Sequence, residues 1–67
     1  MDKGHASEIK RLALEAVRDL SRAVQYAEQN CPPDEFQRLK KGLGLSIGAI
    51  EMNVMVQLYE QFPELED

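Results

Sequence analysis

Few residues of this chain have side chains that commonly take part in catalysis. It has a single histidine, His5, and a single cysteine, Cys31. One thiol excludes an internal disulfide, and this pair supplies too few ligands for a closed zinc site. The sequence also lacks the H-E-x-x-H zinc motif, a phosphate-binding glycine loop and a serine–histidine–acid set. We therefore predict a protein that is not an enzyme, with no catalytic residue, no metal and no cofactor.

Three polar residues each allow a structural and a chemical interpretation. His5 precedes the first predicted helix, so we expect a solvated side chain rather than a metal ligand shared with a second chain. Cys31 lies in a predicted turn, where it fills the corner; the alternative is a redox role or an intermolecular disulfide. Glu51 stands among apolar residues, and we expect its carboxylate to reach solvent. Its alternatives are a contact with a basic group or a metal site shared with a symmetry-related copy.

Three arginines, Arg11, Arg18 and Arg22, fall on one stripe of the first predicted helix. In a dimer, two such stripes could contact nucleic-acid phosphates. Glu15 and Asp19 lie beside them at helical spacing, which is typical of an exposed surface with ion pairs. No aromatic residue interleaves with the arginines to stack on bases. A small dimeric nucleic-acid-binding regulator is therefore the alternative function, and nucleic acid is not the expected partner.

Charge is unevenly distributed along the chain. The 67 residues have a net charge of −4, and this length is that of one small domain, residues 1–67. Every lysine and arginine lies within residues 1–41, and the charged side chains of residues 42–67 are all acidic. An acidic C-terminal half argues against a molecule that wraps a polyanion along its whole length.

The segment Asn30-Cys31-Pro32-Pro33 predicts a turn between two helices. Proline disfavours helical backbone in the residue before it, yet it is tolerated at the first position of a helix. Ser7 is the predicted N-cap of the first helix. We predict helix one over residues 7–29, a turn over 30–33, helix two over 33–61 and a frayed acidic tail over 63–67.

Helix one is amphipathic, with apolar residues at spacings of three and four. Leu14 falls outside this apolar face, and Tyr26 lies at its edge. The face predicted to be buried consists of Ile9, Leu12, Ala13, Ala16, Val17, Leu20, Ala23, Val24 and Ala27.

Helix two is apolar on two nearly opposite sides, and a two-helix hairpin cannot bury both. The row predicted to pack on helix one consists of Phe36, Leu39, Leu43, Ile47, Ile50, Val54 and Leu58. The predicted partner interface is the other side, which consists of Leu45, Gly48, Ala49, Met52, Val56 and Tyr59.

Three glycines interrupt helix two. Gly44 and Gly48 are four residues apart and share a face, which allows a notch where another helix backbone approaches closely. Each glycine also weakens a helix by about 1 kcal/mol relative to alanine. A break or bend near Gly42–Gly44 is therefore the alternative to a continuous helix.

These patterns predict an all-α fold, an antiparallel helical hairpin that dimerises into a four-helix bundle. The predicted function is a non-enzymatic protein–protein interaction module, such as a small adaptor, regulator or co-chaperone. The layout is similar to that of small helical-hairpin co-chaperones of bacterial secretion systems, in architecture and not in motif. We expect a homodimer, with a different protein partner as the alternative. The polar N-terminal residues and the absence of a long apolar stretch predict a cytoplasmic protein with no membrane span.

Overall fold

Two helical arms joined by a tight turn make up the computed structural model, which describes residues 1–66. The first arm is α1, Lys3–Asn30. The second arm, residues 33–61, consists of α2, Pro33–Ile50, a π-helical turn, Glu51–Met55, and α3, Val56–Gln61, and it is followed by a 3-10 turn, Pro63–Leu65. Within the described residues there is no strand, so the predicted all-helical architecture is confirmed.

The N-terminal end of α1 differs from the prediction. The helix begins at Lys3, and Asp2 is its N-cap, so the prediction of Ser7 as N-cap is wrong. The Asp2 Oδ1 atom accepts a hydrogen bond of 2.8 Å from the backbone N–H of His5. Aspartate is favoured at this position because its carboxylate satisfies a backbone N–H that has no partner inside the helix. His5 therefore lies within the first turn of α1 rather than before it.

The turn between the arms follows the prediction. Cys31 has extended backbone, with φ −113° and ψ 151°, and its N–H donates to the carbonyl oxygen of Ala27 at 2.9 Å. Pro32 is also extended, and α2 begins at Pro33. Proline geometry thus ends one helix and starts the next within two residues, as the residue types require.

The second arm stays helical through all three of its glycines. α2 continues past Gly42, Gly44 and Gly48 to Ile50, so the predicted alternative of a break near Gly42–Gly44 is wrong. The irregularity lies further along, in the π-helical turn. One extra residue in a turn rotates every later side chain by about 100°, the angle per residue of an α-helix.

This rotation changes which side chains face α1. Met55 belongs to neither row predicted from a regular helix, yet it is only 4% exposed. It forms the main buried cluster with Ala6 and Leu58. Ala6 lies near the start of α1 and Leu58 near the end of the second arm, so the two arms run antiparallel. Ala27 and Phe36, which flank the turn in the sequence, are also buried.

The predicted tail folds back onto α1 instead of fraying. Lys10 Nζ donates a hydrogen bond to the carbonyl oxygen of Leu65, and Lys3 Nζ lies 3.6 Å from a carboxylate oxygen of Glu64. Leu65 packs against the main buried cluster. The prediction of a frayed tail is therefore wrong for residues 63–66, and Asp67 lies outside the described residues. Two lysines near the start of α1 therefore contact the C-terminal segment, which lies at the other end of the amino-acid sequence.

The hairpin is long and thin. It measures 45 × 18 × 16 Å, with a radius of gyration of 14.5 Å. A compact domain of this length has a radius of gyration of about 11 Å. The accessible surface is 4956 Å², against about 4,300 Å² for a folded monomer of this mass. The single chain thus leaves more surface in water than a typical monomer of its size.

Candidate functional site

The partner interface predicted on the second arm is largely exposed. Leu45 is 68% exposed and Met52 is 71% exposed, and Ala49 between them is exposed as well. Val56 is 40% exposed. Tyr59 is half-buried, because the π-helical turn rotates the end of the arm towards α1. The part of the predicted interface that faces water is therefore centred on α2 and the π-helical turn.

An open groove of about 270 Å³ adjoins this surface. Its apolar walls come from both arms, and Glu51 and Glu66 line it as well. Glu51 is exposed, as predicted. The apolar residues of the groove are Leu14, Val17, Met52, Met55, Val56 and Tyr59.

Three of the groove residues were not predicted as part of an interface. Leu14 lies outside the apolar face of α1. An apolar residue at such a position is the sequence feature that could have indicated an exposed contact. Val17 was assigned to the buried face, and Met55 to neither row. Met55 belongs to the π-helical turn, whose irregular geometry a regular helical period does not reveal.

The glycines of α2 are not required by contacts inside the hairpin. A Cβ atom added at Gly42, Gly44 or Gly48 would meet no heavy atom within 4 Å. Gly48 is half-buried and Gly44 is exposed. A helix backbone that approaches closely at the predicted notch would therefore have to come from another chain.

A second set of exposed apolar residues lies on α1. Ile9, Leu12 and Ala16 are exposed, although the sequence predicted them to be buried. A single partner helix covers a narrower strip than the full apolar face of α1, which accounts for the difference. The remaining residues of that face, Ala13, Val17, Leu20, Ala23, Val24 and Ala27, are half-buried or buried. Leu39, predicted to pack on α1, is also exposed.

The arginine stripe carries ion pairs along α1. Arg11 donates to Glu8 at 2.6 and 2.9 Å and to Glu15 at 2.7 Å. Arg22 donates to Asp19 at 3.2 Å. The hydrogen bond from Arg11 lowers the pKa of the Glu8 carboxyl, and the positive charge of Arg11 acts in the same direction. The same pairing raises the pKa of Arg11. Arg11 and Arg22 are thus paired with acidic neighbours. Each arginine would have to break its ion pairs before it could bind a phosphate.

The residues with possible chemistry lie far apart. His5 is exposed near the start of α1, with Nδ1 3.4 Å from Asp2 Oδ2, and Cys31 is half-buried at the opposite end of the hairpin. Within residues 1–66 no three His, Cys, Asp or Glu side chains are grouped so that they could hold a metal ion. None of the helices in the same residues combines the length and hydrophobicity that a membrane crossing requires.

Comparisons with protein-family models, with curated proteins and with solved structures give no match to this chain.

Proposed function

We propose that this chain is a non-enzymatic protein–protein interaction module, a small adaptor, regulator or co-chaperone, that acts through the exposed apolar side of its second arm. The observation that carries this proposal is the exposure of Leu45 and Met52, at 68% and 71%. Large apolar side chains that face water together on a small protein mark an interaction surface. The protein is proposed to work in the cytoplasm.

The thin core supports the same proposal. Within residues 1–66, the buried apolar side chains are Ala6, Ala27, Phe36, Met55 and Leu58. Two of these are alanines, which bury little surface. A domain of this size has few ways to gain stability without disulfides or metals, and association is one of them. We propose that two hairpins pair into a four-helix bundle, because such a bundle would cover the apolar side of the second arm that one hairpin leaves in water.

Sedimentation equilibrium at micromolar concentration tests this proposal. We expect about twice the chain mass of 7.6 kDa. Leu45→Glu should give a monomer, because a charge buried in an apolar interface is strongly unfavourable. Tyr26→Glu is the matched control, since Tyr26 is equally exposed, at 69%, but lies on α1 near the turn. A wild-type monomer at this concentration would refute the homodimer.

The exposed residues of α1 provide a competing surface. Leu12→Glu places the same charge on that surface while leaving the second arm intact. If Leu12→Glu dissociates the dimer and Leu45→Glu does not, the interface lies on α1 and the proposed surface is wrong. Far-ultraviolet circular dichroism of each variant shows whether the helices persist, so that loss of association is separated from loss of folding.

A further inference from the structure

The exposed side of the second arm changes charge along its length. Within α2 its side chains follow one another at spacings of three and four, which places them along one side of the helix. Beyond the π-helical turn the set continues through exposed residues, Val56 and Glu60. We call this set the interface row, and all of its members are exposed. The interface row consists of Arg38, Lys41, Leu45, Ala49, Met52, Val56 and Glu60. It is basic at the end nearest the turn, apolar in the middle and acidic at the far end.

The charged members of the interface row have no ion-pair partner among residues 1–66. Within that part of the chain, no ion pair and no side-chain hydrogen bond involves Arg38, Lys41 or Glu60. Lys40, on a different side of α2, instead lies 5.9 Å from the centre of the Phe36 ring. The two ends of the interface row therefore offer opposite charges to an external partner.

We propose that the interface row binds the same row of a second copy, with the two arms antiparallel and crossing at Ala49. This inference rests on the proposed function and specifies its partner and geometry. In this arrangement Ala49 meets its own copy, and Leu45 lies opposite Met52 of the partner subunit. Arg38 and Lys41 then approach the partner's Glu60, and the two-fold axis repeats this contact at the other end.

Charge complementarity selects this occupant and this direction. A parallel pair would set the basic ends together and the acidic ends together, which is unfavourable in an interface. A uniformly basic segment would be repelled at Arg38 and Lys41, and a uniformly acidic one at Glu60. The same row in reverse matches both ends. Gly48 lies next to the crossing point, where a Cβ atom has open space in the single chain and a close backbone approach is possible.

Disulfide mapping measures the direction of the two arms. In a Cys31→Ser background, Ala49→Cys should crosslink to its own copy on mild oxidation, because antiparallel arms bring these positions within disulfide reach. Leu45→Cys should not crosslink to itself, since its two copies are about 12 Å apart along the axis. Mixed Leu45→Cys and Met52→Cys chains should crosslink to each other. Gln25→Cys, exposed on α1, reports collisional crosslinking.

The outcomes separate this inference from the proposed function. A dimer by sedimentation in which Leu45→Cys crosslinks to itself as readily as Ala49→Cys is parallel, and it overturns the inference while the interaction module stands. A dimer without crosslinking at Ala49→Cys above the Gln25→Cys level also overturns it. A monomer by sedimentation overturns the inference and the homodimer, and leaves a different protein as the partner of the interaction module.

A charge exchange tests the ends of the interface row. Glu60→Lys should weaken the dimer about tenfold, because each end loses an ion pair and gains a repulsion. The double variant Arg38→Glu, Lys41→Glu should weaken it similarly, and an equal mixture of the two variants should recover wild-type affinity. Glu28→Lys, exposed on α1, makes the same change in net charge and should have little effect. Equal weakening by Glu60→Lys and Glu28→Lys, with no recovery on mixing, contradicts the inference.

Discussion

The ammonium group of Lys10 lies 5.6 Å from the centre of the Tyr59 ring and donates a hydrogen bond to the carbonyl oxygen of Leu65. One side chain of α1 therefore fixes both α3 and the 3-10 turn that follows it. A cation over an aromatic ring and a charged hydrogen bond at a partly buried site are each stabilising. This contact holds the C-terminal segment on the hairpin, and that segment in turn covers the main buried cluster.

Lys10→Met should release the C-terminal turn. The methionine retains much of the apolar stem but loses the ammonium group, so we expect a loss of about 1–2 kcal/mol in the free energy of unfolding. Chemical denaturation measures this loss, and faster amide exchange at Glu66 locates it. Lys3→Met is the control, because its exposed ion pair with Glu64 is worth less than about 1 kcal/mol. Equal effects of the two substitutions would show that Lys10 has no special role.

Met55 and Met52 should respond differently to truncation, although they are three residues apart. Met55 is buried in the hairpin, so Met55→Ala should cost about 2–5 kcal/mol in unfolding free energy at every protein concentration. Met52 faces water in the single chain. Met52→Ala should therefore act through association, so its effect should be largest at protein concentrations well above the dissociation constant and should vanish well below it. Thermal unfolding followed at a series of concentrations distinguishes the two, and a concentration-independent loss at Met52→Ala would contradict the proposed interface.

The pKa of Glu8 should depend on Arg11. Because the folded protein holds this pKa below its usual value, the Glu8–Arg11 pair favours the folded state above the ordinary carboxylate pKa and loses this contribution as pH falls through the lowered value. Arg11→Gln should raise the pKa of Glu8, as measured by carboxyl carbon NMR titration. Arg22→Gln, which removes the partner of Asp19 instead, should leave the titration of Glu8 unchanged. A Glu8 titration that is insensitive to Arg11→Gln would show that the ion pair does not persist in solution.

Glycine substitutions in α2 should separate helix propensity from association. Gly44→Ala should stabilise the helix by up to about 1 kcal/mol, because the added methyl meets nothing within the chain. Gly48→Leu should weaken association, since added volume at a close crossing causes strain. Gly42→Leu is the control for Gly48→Leu, because it lies about 9 Å further from the crossing point. A higher melting temperature for Gly48→Leu with the assembly unchanged would mean that Gly48 faces solvent.

The amino-acid sequence by itself determined the two arms, the turn and the C-terminal end of the second helix. Pro32 and Pro33 act through local sterics, which restrict the residues next to them whatever the rest of the chain does. Pro63 ends the second helix at Gln61 for the same reason. The exposure of Leu45 and Met52 also followed from sequence, since side chains on opposite sides of one helix cannot both face α1.

Only the tertiary structure decided the π-helical turn, the burial of Met55 and the position of the tail. A regular period assigns each residue a fixed angle, and the π-helical turn shifts that angle for the residues after it, which brings Met55 into the core although Leu58 stays buried as predicted. Lys10 and Leu65 are 55 positions apart, so no local pattern connects them. Their contact exists because the antiparallel arms bring the start of α1 and the end of the chain to the same end of the hairpin.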